Sequence, residues 1–279
     1  MSSYRYALLL LLAGTALADD NGFLIGGGIE GDSDEGLRGS MIAGLGLSAD
    51  TWLSGGVSQS SVDLPNGREI NTLYADLELD HLFDPVGIRL GVSYWGDADI
   101  LDSNDWRATL YWRGEKVTLS GEYEFRDFDF IVPSLDLVSV REFMFDADGI
   151  GLRARFELSD NVSMSLSGKT YDYSVDFVPD ENRDVISLFS VTRLSLINSL
   201  IASRAGLDIS IDRGLNRWEL ELATWEGEVD NSRTNSLTLR YLVPMSGKTD
   251  IEFGLGYDDS DLYGDVTFFS VFLYFYGGS

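Results

Sequence analysis

The chain has 279 residues and a formal net charge of −26, because 46 acidic residues outweigh 20 lysines and arginines. This acidity argues against a nucleic-acid partner, since phosphate binding requires a basic surface. It fits a cation-attracting pore, loops among metal-bridged lipopolysaccharide, or a salty habitat. The absence of cysteine excludes disulfides and thiolate metal sites.

The N-terminus has the pattern of an export signal. Arg5 is the only charge in the first eighteen residues, residues 7–12 form a short apolar core, and residues 16–18 are Ala-Leu-Ala. This pattern predicts a secretory signal peptide over residues 1–18 and a single mature domain over residues 19–279. No later apolar run approaches the roughly 18 residues of a spanning helix, so an exported chain that enters a membrane must cross it as strands.

The mature chain alternates apolar and polar residues in segments of roughly ten, as in residues 73–80. All five prolines fall between these segments, as strands paired on both sides require. This predicts an all-β, antiparallel up-and-down transmembrane barrel of about 14 strands. The strands are predicted at residues 23–30, 40–48, 51–60, 69–80, 86–95, 104–113, 116–127, 148–158, 161–173, 204–212, 217–226, 235–243, 248–257 and 265–276.

The connections between these strands alternate in length. Tight turns, such as Asp84-Pro85 and Gly114-Glu115, alternate with longer acidic segments, such as 31–39 and 96–103. Short turns on one rim and long loops on the other are typical of outer-membrane barrels, with the short rim periplasmic.

Two long segments leave the strand count open at 12 or 16 as alternatives. Residues 128–147 are compatible with long strands that rise around Pro133 or with a lid. Residues 184–203 fit either a helix or two further strands, and short apolar runs do not distinguish these structures.

The aromatic residues support a membrane location. Six tryptophans lie near predicted strand ends, which predicts girdles at both interfaces. The last strand, residues 268–276, resembles the aromatic-rich terminal signal of outer-membrane barrels, and the whole mature chain resembles the Gram-negative, porin-like architecture. The resemblance implies a location in the cell outer membrane, contact with lipid and lipopolysaccharide, insertion by the barrel assembly machinery, and a monomer.

The alternation also separates a lipid face from a lumen face. Charge on the lipid face costs about 2–4 kcal/mol at the midplane for Arg or Lys, so charged residues must line water. The predicted pore-lining residues are Asp76, Glu78, Asp80, Arg89, Arg107, Glu122, Glu124, Arg153, Arg155, Asp208, Glu219, Glu221, Arg240, Asp250 and Glu252.

Hairpin geometry suggests partners for some of these charges. Around residues 213–216, Asp212 faces Arg217 and Asp208 faces Glu221, and a symmetric register across residues 227–234 brings Arg240 opposite Glu221. Glu122 and Glu124 are expected to meet Arg153 and Arg155. Such rows form either a cation-selectivity element or a network that stiffens the wall, and we favour the second interpretation.

These features favour a porin-like channel for small polar solutes or ions, with a mild cation preference and no cofactor or metal. One alternative is an interaction or assembly barrel that acts through its long loops while its lumen is plugged. The other is a lipid-modifying enzyme centred on Asp80 and His81, the only histidine. We expect no enzyme, because hydrolase and nucleotide-binding motifs are missing and His81 lies beside a predicted turn.

Overall fold

The protein was analysed as a computed structural model, which describes residues 22–63, 69–97, 101–132, 141–175, 200–229, 231–262 and 264–277. These residues form a closed barrel of fourteen antiparallel strands, in which each strand pairs with its sequence neighbours and β1 pairs with β14. No helix within these ranges is long and apolar enough to cross a membrane. The strands are β1 (Phe23–Asp32), β2 (Leu37–Ser48), β3 (Thr51–Asp63), β4 (Glu69–Leu82), β5 (Val86–Asp97), β6 (Leu101–Arg113), β7 (Val117–Val132), β8 (Arg141–Ser159), β9 (Val162–Tyr173), β10 (Ile201–Arg213), β11 (Asn216–Gly227), β12 (Arg233–Ser246), β13 (Thr249–Ser260) and β14 (Gly264–Gly277).

The predicted fold class and strand number are confirmed. Closure leaves no unpaired edge, and it satisfies the backbone polar groups that a bilayer cannot. Alternation gives the wall one exposed apolar face: Leu77 and Leu152 are 51% and 70% exposed. An exposed apolar face of this kind is suited to contact with lipid.

The strands extend further toward the long-loop rim than the sequence indicated. The strand β7 continues to Val132 and β8 begins at Arg141, so the described parts of residues 128–147 form long strands. Polar residues such as Asp127 and Asp146 continue the pairing beyond the apolar band, because ladder hydrogen bonds do not depend on side-chain polarity. Residues 1–18 and 184–199, which include the predicted signal peptide, lie outside the described residues.

The expectation of two tryptophan girdles is wrong for half of the tryptophans. Trp106, Trp112 and Trp218 are 62%, 45% and 39% exposed, as girdle residues are. The other three tryptophans point to the inner face, because they occupy the alternate set of strand positions. Trp52 lies over Gly44, Trp95 donates to Asp105, and Trp225 lies under Arg204.

Large rings on the inner face lie over glycines of the neighbouring strands. A Cβ atom added at Gly256 would come within 1.9 Å of the Phe268 ring, and one at Gly28 would lie 2.5 Å from the Phe272 ring. A glycine is required at these positions because the ring occupies the space of a side chain. The pairs thereby fill the inner wall.

Candidate functional site

The charged residues form the concave face of the barrel. Contacts there extend over an intervening strand: the Tyr111 hydroxyl of β6 donates to Asp80 Oδ1 of β4 at 2.7 Å, and Arg153 Nη2 of β8 lies 2.8 Å from Asp208 Oδ2 of β10. Side chains converge on a concave surface, which makes such contacts possible. The opposite face carries exposed apolar residues such as Leu77. The charged face therefore surrounds the lumen.

One charge network connects β4, β5 and β6. Arg89 lies between two carboxylates, with Nε 3.2 Å from Glu78 Oε1 and Nη2 3.0 Å from Asp80 Oδ2. Arg107 Nη2 lies 3.4 Å from Glu78 Oε2. Asp76 continues the row and lies beside Gly56 of β3. The structure thus brings together five of the predicted residues.

A second network connects β7 and β9 and skips β8. Lys169 Nζ donates to Glu122 Oε1 at 2.5 Å and also to Glu124, which accepts from the Tyr171 hydroxyl at 2.9 Å. The intervening residue of β8 is Gly151, where an added Cβ atom would lie 3.5 Å from Glu122 Cβ and from Lys169 Cγ. With no side chain at Gly151, the Lys169 ammonium reaches both carboxylates across β8.

The prediction that Glu122 and Glu124 meet Arg153 and Arg155 is wrong. In the register of β7 with β8, Glu122 and Glu124 face Gly151 and Gly149, while Arg153 and Arg155 face hydroxyl side chains. Arg153 instead binds Asp208, and Arg155 Nε lies 2.8 Å from Glu157 Oε1. Glu122 and Glu124 instead contact Lys169 of β9, which the pairing of neighbouring strands does not bring opposite them.

A third network covers β10 to β12. The pairings of Asp212 with Arg217 and of Asp208 with Glu221 are confirmed. The placement of Arg240 opposite Glu221 is wrong, since Arg240 faces Glu219. The strand β12 already begins at Arg233, opposite Glu226, which moves the register by two residues.

Arg240 still reaches Glu221 diagonally. Its Nη2 lies 3.0 Å from Glu221 Oε2, and Arg204 approaches the other oxygen of Glu221 at 3.1 Å. On β13, Glu252 forms a hydrogen bond with Tyr274 of the next strand. Asp250 faces the same Tyr274 in the register of β13 with β14. All the predicted pore-lining residues therefore lie on the concave face, and their role in permeation stays a prediction.

A buried cation lies on the inner wall of β7. Arg126 Nε is 3.3 Å from Asp105 Oδ1, and the guanidinium carbon lies 5.3, 4.8 and 5.4 Å from the ring centroids of Trp95, Phe128 and Tyr171. Rings at these distances stabilise a desolvated cation. Strand parity would have placed Asp105 and Arg126 on the lumen face, but it does not indicate that they are buried.

The two halves of the lumen differ in accessibility. Toward the short-turn rim, Arg153 and Arg155 have side chains that are 54% and 46% exposed. A cavity of about 570 Å³ opens there between β5 and β8. Toward the long-loop rim, inward side chains are buried around the circumference, among them Ser60, Ser103, Phe128, Ala147, Thr234, Asp258 and Phe268.

The structure separates Asp80 from His81. Asp80 points into the lumen toward Arg89, whereas His81 lies on the outer face, with Nδ1 2.7 Å from Thr51 Oγ1 and its ring 4.2 Å from that of Phe83. Successive strand residues point to opposite faces, so the two side chains do not form a catalytic pair.

The acidic loop after β1 uses its first carboxylate locally. Asp32 Oδ1 accepts hydrogen bonds from the backbone N–H groups of Asp34 at 3.0 Å and Gly36 at 2.7 Å, which closes the turn. Within the ranges that the structure describes, no group of three or more acidic or histidine side chains is arranged to hold a metal ion.

No protein-family model and no curated protein matches the sequence. Solved structures match it over nearly the whole chain. A TodX deltaS2S3 mutant, a monoaromatic hydrocarbon channel, gives a TM-score of 0.55 at 9% identity over 95% of this chain and 92% of that chain. The CymD monoaromatic hydrocarbon channel gives 0.54 at 9% identity over 100% and 93%. A loop-deletion mutant of OmpT, an outer membrane protein of Vibrio cholerae, gives 0.51 at 9% identity over 92% and 98%. Identities this low show the fold alone, and the chain has the architecture of outer-membrane β-barrels that include channels.

Proposed function

We propose that the protein is a porin-like channel of the outer membrane that passes small polar solutes or ions. The observation that carries this proposal is the water-accessible, charged inner wall at the short-turn end, where Arg153 and Arg155 are about half exposed. A barrel of fourteen strands is wider than the eight-stranded barrels that side chains fill. Charged side chains on such a wall keep the lumen polar, as in water-filled barrels.

A mild cation preference follows from the excess of carboxylates over arginines on this wall. The carboxylates of Asp76, Glu78 and Asp80 stand against Arg89 and Arg107, and the acidic excess continues around the barrel. A low-dielectric wall focuses the field of these charges into the lumen, which raises the local concentration of cations.

The constriction of this channel lies in the half toward the long-loop rim. Phe128 and Ala147 are fully buried there, and Arg126 is enclosed by aromatic rings. A solute that passes this level must fit a narrow space. This arrangement favours small solutes over large ones.

The proposed orientation places the short turns in the periplasm and the acidic long-loop rim outside the cell. The apolar outer face contacts lipid, and the outer rim contacts lipopolysaccharide. We further propose that the chain is inserted as a monomer by the barrel assembly machinery after signal-dependent export.

Liposome swelling tests this function. Purified, folded barrel is reconstituted into liposomes, and swelling is followed in neutral sugars of increasing size, from arabinose to raffinose, with protein-free liposomes as the control. The proposal predicts swelling with the pentose that falls steeply as the sugar grows. Absence of swelling with every sugar and with small salts would contradict it, and would favour the interaction barrel with a plugged lumen.

A further inference from the structure

A basic cavity opens into the lumen at the short-turn rim. It has a volume of about 570 Å³ and lies between β5 and β8. Four arginines line it, namely Arg89, Arg113, Arg153 and Arg155, against two carboxylates, Glu115 and Glu157. The remainder of its wall includes the hydroxyls of Thr118 and Ser120. The side chains that line the cavity therefore carry a net positive charge, unlike the chain as a whole.

The arginines are only partly neutralised by their neighbours. Arg89 lies between Glu78 and Asp80, and Arg153 contacts Asp208; none of these three carboxylates lines the cavity. Arg155 contacts Glu157 and donates to Ser163 Oγ at 3.0 Å. Arg113 makes no ion pair with any residue that the structure describes. A guanidinium has five N–H donors, and one carboxylate contact leaves most of them available. Arg113 is exposed, so its donors are available to a bound solute.

These donors fit one class of ligand. Guanidinium groups bind carboxylate and phosphate oxygens in a bidentate manner, and several around one cavity select for an oxyanion. The hydroxyls of Thr118 and Ser120 supply hydrogen bonds to a polyhydroxylated body. We propose that this cavity is a solute subsite for a small hydroxylated organic oxyanion, of the class of a sugar acid or sugar phosphate.

This inference rests on the proposed channel, in which the subsite lies at the periplasmic mouth. It is compatible with a cation preference for simple salts. The permeation of small ions depends on the acidic excess of the whole lumen. The subsite binds a larger solute through direct contacts of its carboxylate with arginines and of its hydroxyls with Thr118 and Ser120.

Isothermal titration of the detergent-folded barrel tests the subsite without requiring conductance. Gluconate and glucose 6-phosphate are the two oxyanion probes, and glucose is the uncharged control of similar size. Titration at low salt keeps screening weak, since the Debye length is about 30 Å at 0.01 M. We expect saturable binding of at least one oxyanion, weakened by added salt, and no binding of glucose. Failure of both oxyanions to bind, or equal binding of glucose, would overturn the inference.

Two variants locate the binding. Arg113→Gln removes the unpaired arginine, and the double variant R113Q/R155Q should weaken oxyanion binding at least about tenfold, because hydrogen bonds to charged groups contribute about 1.5–3 kcal/mol. Arg217→Gln is the control for the single variant, since it removes one positive charge at the same rim from an arginine that pairs with Asp212 and does not line the cavity. Equal weakening in the control would overturn the assignment. Heat-dependent gel migration verifies that each variant is folded.

A bilayer measurement separates this inference from the proposed function. Current blocked by gluconate from the short-turn side supports both. A barrel that conducts ions but binds neither oxyanion overturns the subsite and leaves the channel intact. A barrel that binds oxyanion but never conducts supports the binding site and overturns the channel.

Discussion

Arg126 and Asp105 face each other across the hairpin of β6 and β7, with Arg126 Nε 3.3 Å from Asp105 Oδ1. Each residue is only 5% exposed. Trp95 Nε1 donates to the same carboxylate at 3.1 Å, so the ion pair belongs to a hydrogen-bonded aromatic cluster. Loss of one partner lowers the free energy of unfolding more in a buried pair of this kind than in an exposed pair, because the remaining charge stays desolvated.

Asp105→Ala should therefore destabilise the folded barrel strongly. Loss of one partner of a buried pair costs about 3–5 kcal/mol. Asp212→Ala is the matched control, since Asp212 and Arg217 form an exposed pair on the inner face of β10 and β11, where a loss below about 1 kcal/mol is expected. Urea unfolding followed by gel migration gives the unfolding midpoints of both variants. Similar midpoints would contradict the stabilising role of the buried pair.

The packing of Phe268 over Gly256 predicts a second effect on stability. Gly256→Ala should lower the free energy of unfolding, because the new methyl group would meet a ring that is only 2% exposed. Gly39→Ala is the control, since a Cβ atom there meets nothing within 4 Å. Gly39→Ala should be neutral or slightly stabilising. An unchanged unfolding midpoint in G256A would show that the Phe268 ring moves aside without cost, and would contradict the prediction.

Much of this arrangement follows from the strand period. Parity alone placed Asp76, Glu78 and Asp80 on one face, because a charge on the lipid face is costly. The tight turn between β10 and β11 likewise fixed the pairing of Asp212 with Arg217, since a short turn leaves few registers.

Other contacts could not be predicted from the sequence for identifiable reasons. The register of Arg240 depended on where β12 begins after a longer loop, and that position is not encoded in alternation. The contact of Lys169 with Glu122 crosses a whole strand at Gly151, so pairwise hairpin geometry does not reveal it. The burial of Arg126 depends on three rings from different strands.

His81 gives a test of the enzyme alternative. His81→Ala should leave conductance and selectivity unchanged, because its hydrogen bond to Thr51 and its ring contact with Phe83 both lie on the outer face. Asp80→Ala, one residue away, should alter selectivity, because it removes a lumen carboxylate that accepts from Arg89 Nη2 and from the Tyr111 hydroxyl. Ion flux in liposomes compares the two variants. A lipid-hydrolysing activity that disappears in folded H81A would contradict this account.

The proposed orientation predicts which rim antibodies reach on intact cells. Epitope tags inserted within residues 32–35 or 258–261 should be labelled from outside, whereas tags at Asp84 or Ser246 should require permeabilised cells. The first pair lies at the long-loop rim and the second beside short turns. The reverse pattern would place the acidic rim in the periplasm.

The reversal potential of single barrels in a planar bilayer, under a salt gradient, tests the central claim that the charged inner wall is the path of permeation. We predict open-channel steps with cation preference at low salt, which fades as the Debye length falls from about 30 Å at 0.01 M to about 3 Å at 1 M. The triple variant D76N/E78Q/D80N should reduce or reverse this preference, because it also releases Arg89 and Arg107 from Glu78. The control D127N/D129N/D172N removes the same charge from the outer face and should leave the potential unchanged. A folded barrel without conductance steps, or a potential that the lumen variant does not move, would contradict the claim.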